Sequence, residues 1–350
     1  MTEQQFIREL ELALTRIPTD EKNDILSDIR EYFSNGREDG KSESEIAASL
    51  GSPKEIAEEL SENQIQIPEK VSSSDKIIKI PHANFSNIMM DIDFGSLHIV
   101  ASETDETTIE LIGEHEKLEL TADVVNDTLS IRLKMKKFKL FSFMFLIKEL
   151  RVNISLPKKL YTTVIMKTDN GRIRAEKILA KSIKATSDNG SIGLKEFAAT
   201  ILEVETDNGR IELEKIQADK LTAQTDNGRI ELKNIDAEQV HTETDNGRII
   251  MQYVNGSIVG KTDNGRIEML TTSLDRMIEL ETDNGSIVVE TEDDPTDVSI
   301  HTKVDFGKIS VFGEKNSRTV FGNGTNKVRL SSDNGKITVD KKNGVMEAYK

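Results

Sequence analysis

The chain has 350 residues and a formal net charge of −16, from 46 basic and 62 acidic side chains. This charge disfavours sequence-independent binding to nucleic acid, because such binding needs a basic surface that releases counterions from the phosphates. The chain contains no cysteine, which excludes disulfides and thiolate metal sites. The length leaves room for one small and one large domain.

Residues 1–63 show the apolar spacing of short helices. Ser42 with Glu45 forms a capping-box pattern, and Ser52-Pro53 provides an N-cap followed by proline at the first helical position. Charged residues interrupt the apolar ones near the start, so we expect no signal peptide. Because no run of about 18 apolar residues occurs, we also expect no membrane-spanning helix and predict a cytoplasmic protein.

The spaced motif Ile46-Ala47-(x)2-Leu50-Gly51-(x)-Pro53-(x)2-Ile56-Ala57 lies within this acidic segment. In this motif the segment resembles the HAAS-type helical signalling domain. The resemblance implies a helical domain over residues 1–63 that contacts a protein partner, since members of that family accompany PadR-like transcription regulators. Residues 64–76 contain a proline and three consecutive serines and are predicted to be a polar linker.

Strands are predicted from Ile77 onward, where apolar residues alternate with polar ones. We assign residues 77–166 to an N-terminal β region. Asp93-Phe94-Gly95 in this region and Asp305-Phe306-Gly307 near the end of the chain look like degenerate copies of a turn that recurs between them.

That turn is the tripeptide Asp-Asn-Gly, mostly within Thr-Asp-Asn-Gly-Arg-Ile, which recurs in steps of 18 to 20 residues from Asp169 to Asp283 and once more at Asp333. A fixed period of this length is the signature of a solenoid, in which each repeat covers the apolar edge of the one before. Apolar residues two apart, with steps of three between them, indicate short strands joined by corners. We therefore predict a mainly β protein with a small N-terminal all-α domain. Its β-solenoid has coils of about 19 residues over residues 167–340 and is followed by a tail at 341–350.

Turn geometry explains the residue types of the repeat. Glycine is expected in a left-handed backbone conformation, and Asp and Asn can bond their own backbone in Asx-turns. Stacked turns are expected to align the asparagine amides in a ladder. This turn ladder is formed by Asn170, Asn189, Asn208, Asn227, Asn246, Asn264, Asn284 and Asn334.

The aspartates of the stacked turns would also align, and a row of like charges is repulsive. We expect the arginines three residues later to neutralise it, namely Arg172, Arg210, Arg229, Arg248 and Arg266. The alternative is a cation-binding row like that of Ca²⁺-binding β-rolls. Such sites use several oxygen ligands per ion, whereas this repeat offers one carboxylate beside an arginine.

The repeated Thr-Asp-Asn-Gly-(x)-Ile and its flanking strands resemble the putative-adhesin family of β-strand-repeat proteins, a domain of unknown function. The resemblance covers about 260 residues of the chain. It implies a β-strand-repeat fold, and the family name implies adhesion.

Residues 138–147, Phe-Lys-Leu-Phe-Ser-Phe-Met-Phe-Leu-Ile, form an apolar loop with lysines around it. Three interpretations are open. The loop covers an open end of the solenoid or packs on the helical domain; it enters the anionic inner face of a membrane as a peripheral anchor; or it binds a partner or a second copy. The candidate contact residues are Phe138, Leu140, Phe141, Phe143, Phe145, Leu146, Lys136, Lys137 and Lys139.

The sequence has no recognisable catalytic, cofactor-binding or metal-binding motif, and its five histidines are scattered. We therefore predict a non-enzymatic scaffold or sensor in regulatory signalling, connected with the cell envelope. It would use a helical partner-binding domain and a solenoid interaction surface, and by resemblance the partner is a PadR-like regulator. The alternative is a cell-surface adhesin or carbohydrate-binding rod. A more distant one is a polysaccharide-active enzyme with paired carboxylates on a solenoid face.

Overall fold

The computed structural model describes residues 1–15, 42–57, 76–81, 84–113, 118–135 and 150–342, together with positions 22, 26, 29, 30, 33 and 37. The described residues form two compact units. One is helical and N-terminal, and the other is a β unit whose first strand begins at Lys76.

The helical unit contains α1 (Glu3–Ala13), α2 (Glu43–Leu50) and a helical segment at residues 53–57. Both α1 and α2 begin with a capping box, and that of α2 is the predicted pair Ser42 and Glu45. The core of the helical unit includes Phe6 and Phe33, whose rings meet edge to face with 5.6 Å between centroids. Packing of this apolar face stabilises helices that are too short to persist alone.

The β unit is built from strands of 4 to 16 residues. In chain order they are β1 (Lys76–Ile80), β2 (Asn87–Phe94), β3 (Ser96–Ser102), β4 (Thr107–Ile112), β5 (Leu118–Val125), β6 (Thr128–Met135), β7 (Arg151–Pro157), β8 (Leu160–Asn170), β9 (Ile173–Glu176), β10 (Leu179–Ser187), β11 (Ile192–Thr206), β12 (Ile211–Thr225), β13 (Ile230–Thr244), β14 (Ile249–Asn264), β15 (Ile267–Thr271), β16 (Ile278–Thr291), β17 (Val298–Val311), β18 (Arg318–Phe321) and β19 (Asn326–Lys341).

Successive coils pair in parallel with a shift of one repeat. Ile211 of β12 pairs with Ile192 of β11 on one side and with Ile230 of β13 on the other. The ladder of β12 with β13 runs over residues 211–214, 216–218 and 220–225, so one coil has three straight segments and two corners. The inward side chains of these segments, such as Leu213 and Leu221, are buried. The predicted β-solenoid is confirmed.

In five consecutive coils, one corner places an ordinary residue in the left-handed region. The φ angles there lie between 54° and 61°. The residues share one position of the repeat and are Lys177, Glu196, Lys215, Asn234 and Tyr253. A side chain in this conformation costs about 1–2 kcal/mol, and the hydrogen bonds of the stacked coils offset that cost.

The order of coils in space differs from their order in the chain at both ends of the stack. The coil of β2 and β3 comes first in the chain, yet it lies between β6/β7 and β8/β9. The C-terminal strand β19 likewise lies between β16 and β17. The first and last coils of the chain are therefore each paired on both sides, and β17 ends the stack.

Candidate functional site: the stacked turns

Each turn is tied to the turn below it by a buried hydroxyl. Thr206 is 1% exposed, and its Oγ1 donates to the carbonyl oxygen of Gly190 in the preceding coil at 3.0 Å. The same bond recurs up the stack at Ser187, Thr225, Thr244, Thr262, Thr282 and Ser332. This bond explains why the residue before Asp-Asn-Gly is Thr or Ser, because a side chain buried there can tie one coil to the next only if it carries a hydroxyl.

The turn glycines are required by close approach of neighbouring backbones. A Cβ atom at Gly209 would stand 2.0 Å from the carbonyl oxygen of Gly190, and at Gly228 it would stand 1.8 Å from that of Gly209. None of the glycines from Gly171 to Gly285 that follow Asp-Asn has a left-handed φ. The expectation of a left-handed turn glycine was therefore wrong, and that conformation belongs to the other corner of the coil.

The asparagines of the turns form a continuous row of hydrogen bonds. Every asparagine of the turn ladder after Asn170 donates through Nδ2 to Oδ1 of the asparagine in the preceding coil of the stack, over 3.0 to 3.2 Å. The row joins all eight residues of the turn ladder, from Asn170 to Asn334. A phenylalanine stands in register with each end, since Phe94 pairs with Asn170 and Phe306 with Asn334.

The turn arginines pair with glutamates and not with the turn aspartates, so the predicted neutralisation of the aspartate row was wrong. Arg210 lies 2.7 Å from Glu212, and Arg229 lies 2.8 Å from Glu231. Residues two apart in a strand share one face. Glu212 is therefore beside Arg210, whereas the aspartate lies on the far side of the turn.

Arg248 and Arg266 both contact Glu268, and Arg172 donates to the hydroxyl of Ser191. Among the described residues, no ion pair within 4 Å joins a turn arginine to a turn aspartate. The described part of the chain also contains no group of three or more His, Asp or Glu side chains placed to hold a metal ion.

The nine candidate contact residues of the apolar loop, from Lys136 to Leu146, lie outside the described residues. The strands that flank the loop are described. They are β6, which ends at Met135, and β7, which begins at Arg151. β6 pairs with β2 and β7 pairs with β3, so the two strands that flank the loop belong to the coil next to that of β2 and β3. Lys134, just before the loop, contacts Asp91 at 2.9 Å and also contacts Asp93.

Arg276 is a half-buried charged side chain that the sequence analysis did not single out. Its guanidinium donates to the carbonyl oxygen of Val254 at 2.7 Å, to Oδ1 of Asn255 at 3.3 Å and to the hydroxyl of Thr271. Burial lowers the pKa of Arg276. The signal in the sequence was the step of 20 residues between Asp263 and Asp283, where the chain adds residues at one corner.

The sequence model of the Toastrack DUF4097 family matches residues 85–340, which is most of the chain and nearly all of the β unit. The chain belongs to the Toastrack DUF4097 family. The HAAS model matches residues 5–59. This Toastrack protein therefore carries an N-terminal HAAS region, and the two matches support a role in protein–protein interaction.

Three solved structures share a distant likeness with this Toastrack chain. A putative adhesin from Bacteroides fragilis NCTC 9343 is 15% identical, with a TM-score of 0.42, 77% of this chain covered and 98% of that one. Putative adhesins from Parabacteroides distasonis ATCC 8503 and Parabacteroides merdae ATCC 43184 give 14% and 15% identity and TM-scores of 0.40 and 0.39. They cover 77% and 79% of this chain and 98% and 99% of their own. No functionally curated protein matches the chain.

None of the helices in the described part of this Toastrack protein combines the length and apolar character needed to cross a bilayer.

Proposed function

We propose that this protein is a scaffold or sensor in regulatory signalling connected with the cell envelope. Its HAAS region contacts a protein partner, and its solenoid provides a second, rigid interaction surface. The HAAS match makes a PadR-like transcription regulator the first partner to test. The proposed location is the cytoplasm, with peripheral contact of the apolar loop at 138–147 with the inner face of the membrane.

The observation that carries this proposal is the alignment of outward side chains into straight rows. Register places Glu205, Gln224, Glu243, Lys261 and Glu281 above one another on successive coils. A parallel row contains Glu203, Thr222, His241, Val259 and Glu279. Neighbouring coils stack about 4.8 Å apart, so these five coils present a polar strip about 19 Å long, in which five of the ten side chains are carboxylates and one is a lysine. Extended surfaces of this kind are what repeat proteins use to bind macromolecules.

The test of the partner uses an exposed leucine on each unit. Leu12 on α1 is 69% exposed, and Leu160 on β8 is 62% exposed. We expect the full chain to co-purify with a PadR-like regulator from the same cell, and Leu12→Asp to abolish that complex. Leu160→Asp is the matched control and is expected to leave it intact. Failure of the unmodified chain to bind the regulator would remove this partner from the proposal.

The test of location is fractionation of cells that express the full chain. We expect recovery in the membrane fraction, release by high salt, and transfer to the cytosol in the double variant Phe141→Asp with Leu146→Asp. Recovery of wild type in the cytosol alone would reject peripheral anchoring. Cleavage of the repeats by protease added to intact cells would instead favour the adhesin alternative.

A further inference from the structure

Within the described residues, the outer edge of β17 is open along its middle. On its inner side β17 pairs with β19 from Val298 to Val311. On its outer side β18 pairs only with residues 298–301, the N–H of Thr302 donates to the Ser317 carbonyl, and the N–H of Val311 donates to Glu314. No described residue hydrogen-bonds the outer backbone edge of residues 303–310. This segment is called the open edge below.

The open edge offers both donors and acceptors to an incoming strand. Successive N–H groups of a strand point alternately to its two sides. The N–H of Val304 therefore points outward like that of Thr302, and the N–H of Ile309 points outward like that of Val311. Because Asp305-Phe306-Gly307 is a copy of the repeat's turn, the open edge consists of two short strand segments joined by a bend, and a peptide that adds to it must bend as an inner coil does.

Apolar side chains at the open edge lack the cover that they have in inner coils. Val304 and Ile309 are only half-buried, although their neighbours Ser332 and Ile337 in β19 are 2% and 0% exposed. Phe306 is 77% exposed. At the other end of the turn ladder the equivalent Phe94 is half-buried. The terminal repeats of a solenoid normally carry a polar outer face, so an exposed phenylalanine between two half-buried aliphatic side chains indicates a place that another chain covers.

The charge at this end of the solenoid is opposite to that of the whole chain. Residues 298–339 carry seven basic and three acidic side chains, a net charge of +4 in a protein of −16. The basic residues are Lys303, Lys308, Lys315, Arg318, Lys327, Arg329 and Lys336; the acidic ones are Asp305, Glu314 and Asp333. Burial together with Arg318, Lys327 and Arg329 lowers the pKa of His301. Two such ends would repel each other, which argues against pairing of two copies through this edge.

We propose that the open edge of β17 binds an extended acidic peptide segment of a partner protein, which adds to the solenoid as a further strand. Backbone hydrogen bonds to residues 303–310 give affinity, and an apolar side chain of the peptide covers Phe306. Lys308 attracts its carboxylates, and Lys303 does so in exchange for its surface contact with Asp305 at 3.3 Å. A nucleic acid would not satisfy this edge, because phosphates accept hydrogen bonds but donate none to the exposed carbonyl groups. The proposal concerns a contact separate from that of the HAAS region.

A synthetic peptide with the sequence of residues 281–290, Glu-Thr-Asp-Asn-Gly-Ser-Ile-Val-Val-Glu, is a suitable probe. It has three carboxylates and no basic side chain, and in the folded chain it already pairs in this register with β19. If it stacks as a coil, its first glutamate lies beside Lys303. We expect a fluorescently labelled copy to bind the full chain saturably in an anisotropy titration, and a copy with lysine at the three acidic positions not to bind.

The matching protein variant is Lys303→Glu with Phe306→Asp and Lys308→Glu. We expect it to weaken binding of the acidic peptide by about thirtyfold, the size of effect typical for loss of an aromatic anchor. The control is Leu160→Asp with Lys220→Glu, two exposed positions on coils paired on both sides, and it is expected to bind as wild type does. Equal affinity for both peptides, or equal loss in the control, would overturn the proposal.

Hydrogen exchange on the unmodified protein gives an independent readout that needs no variant. We expect the acidic peptide to slow exchange of the amides at Val304 and Ile309 and to leave those of the inner coils unchanged. Protection elsewhere, or none at saturating peptide, would contradict the proposal. Sedimentation of the chain alone as a dimer that the triple variant dissolves would also overturn it, because the edge would then be occupied by a second copy.

Discussion

Gly209 and Gly190 touch backbone to backbone, since a Cβ atom added to Gly209 would lie 2.0 Å from the carbonyl oxygen of Gly190. That carbonyl oxygen also accepts the buried hydroxyl of Thr206 at 3.0 Å. The spacing of the coils, and with it the hydrogen bonds of every neighbouring strand, therefore depends on the absence of a side chain at the turn.

Alanine at Gly209 is expected to destabilise the β unit by at least about 3 kcal/mol, because the coils must move apart to admit a methyl group. The measurement is the free energy of unfolding in urea. Gly193 is the control, since a Cβ atom there would meet nothing closer than 4.0 Å. Gly193→Ala is expected to stabilise the strand by about 0.5–1 kcal/mol. Similar losses for both variants would contradict the steric explanation.

Alanine in the middle of the turn ladder is expected to cost more than alanine at its end. Asn227 takes part in two amide hydrogen bonds of the ladder, whereas Asn170 takes part in one. At about 0.5–1.5 kcal/mol per bond, Asn227→Ala should lose roughly twice as much unfolding free energy as Asn170→Ala. Equal losses of unfolding free energy in the two variants would mean that the amide hydrogen bonds between coils add nothing to stability, and that asparagine acts only through the conformation of its own turn.

Removal of the Arg276 side chain is expected to destabilise the corner that it fills by about 2–4 kcal/mol. Arg276→Ala leaves the Val254 carbonyl and the Thr271 hydroxyl without their donor in a buried place. Arg276→Lys should restore little, because one ammonium cannot reach three separated acceptors in the geometry of a guanidinium. Arg229→Ala is the control and should cost less than about 1 kcal/mol, because Arg229 pairs at the surface.

Stability is expected to rise with pH near neutrality because of His301. Its pKa is lowered in the folded protein by burial and by Arg318, Lys327 and Arg329. The unfolded chain therefore binds the proton more readily, and the contribution of His301 is complete above a pH of about 6.5 and is lost as the pH falls below that value. The urea midpoint should increase between about pH 5.5 and about pH 7.5. His301→Gln should reduce that increase, and an unchanged increase would assign it to other groups.

The period of the repeat was sufficient to predict the coil, its strands and its inward residues. Leu213 and Leu221 are buried as their spacing indicates. This worked because hydrophobic spacing reports which side of a strand faces the core. The role of glycine was not predictable from residue type, since both a left-handed turn and a close backbone approach select glycine. Only the stacked coordinates distinguish them.

The second corner and the pairing of charges were missed for a related reason. The left-handed residues Lys177, Glu196, Lys215, Asn234 and Tyr253 obey the period but share no chemistry, so propensity gave no signal. The arginines were paired with the wrong carboxylates because the aspartate and the arginine of one turn were assumed to lie on the same side of it. Glu212 lies on the same strand face as Arg210, whereas Asp207 lies across the turn.

Position in the stack could not be predicted at the ends. Asp305-Phe306-Gly307 was recognised as a copy of the turn, but nothing in the sequence indicates that β19 lies between it and β16. Coils with the same inward apolar pattern can in principle pair with one another in any order. The inward pattern therefore does not indicate which coil lies at the end of the stack.

The first and last coils of the chain are each paired with a neighbour on both sides, and this restricts where coils can be added to or removed from the repeat array. A repeat fused beyond residue 341 could not simply continue the stack, because β19 already has β16 on one side and β17 on the other. The same holds before residue 87, where β2 is paired with β6 and β8. Duplication or deletion of a coil is compatible with the fold only in the interior, between β8 and β16, where the order in the chain and the order in space agree. The near-identical units, from Asp169 to Asp283, lie in that interior.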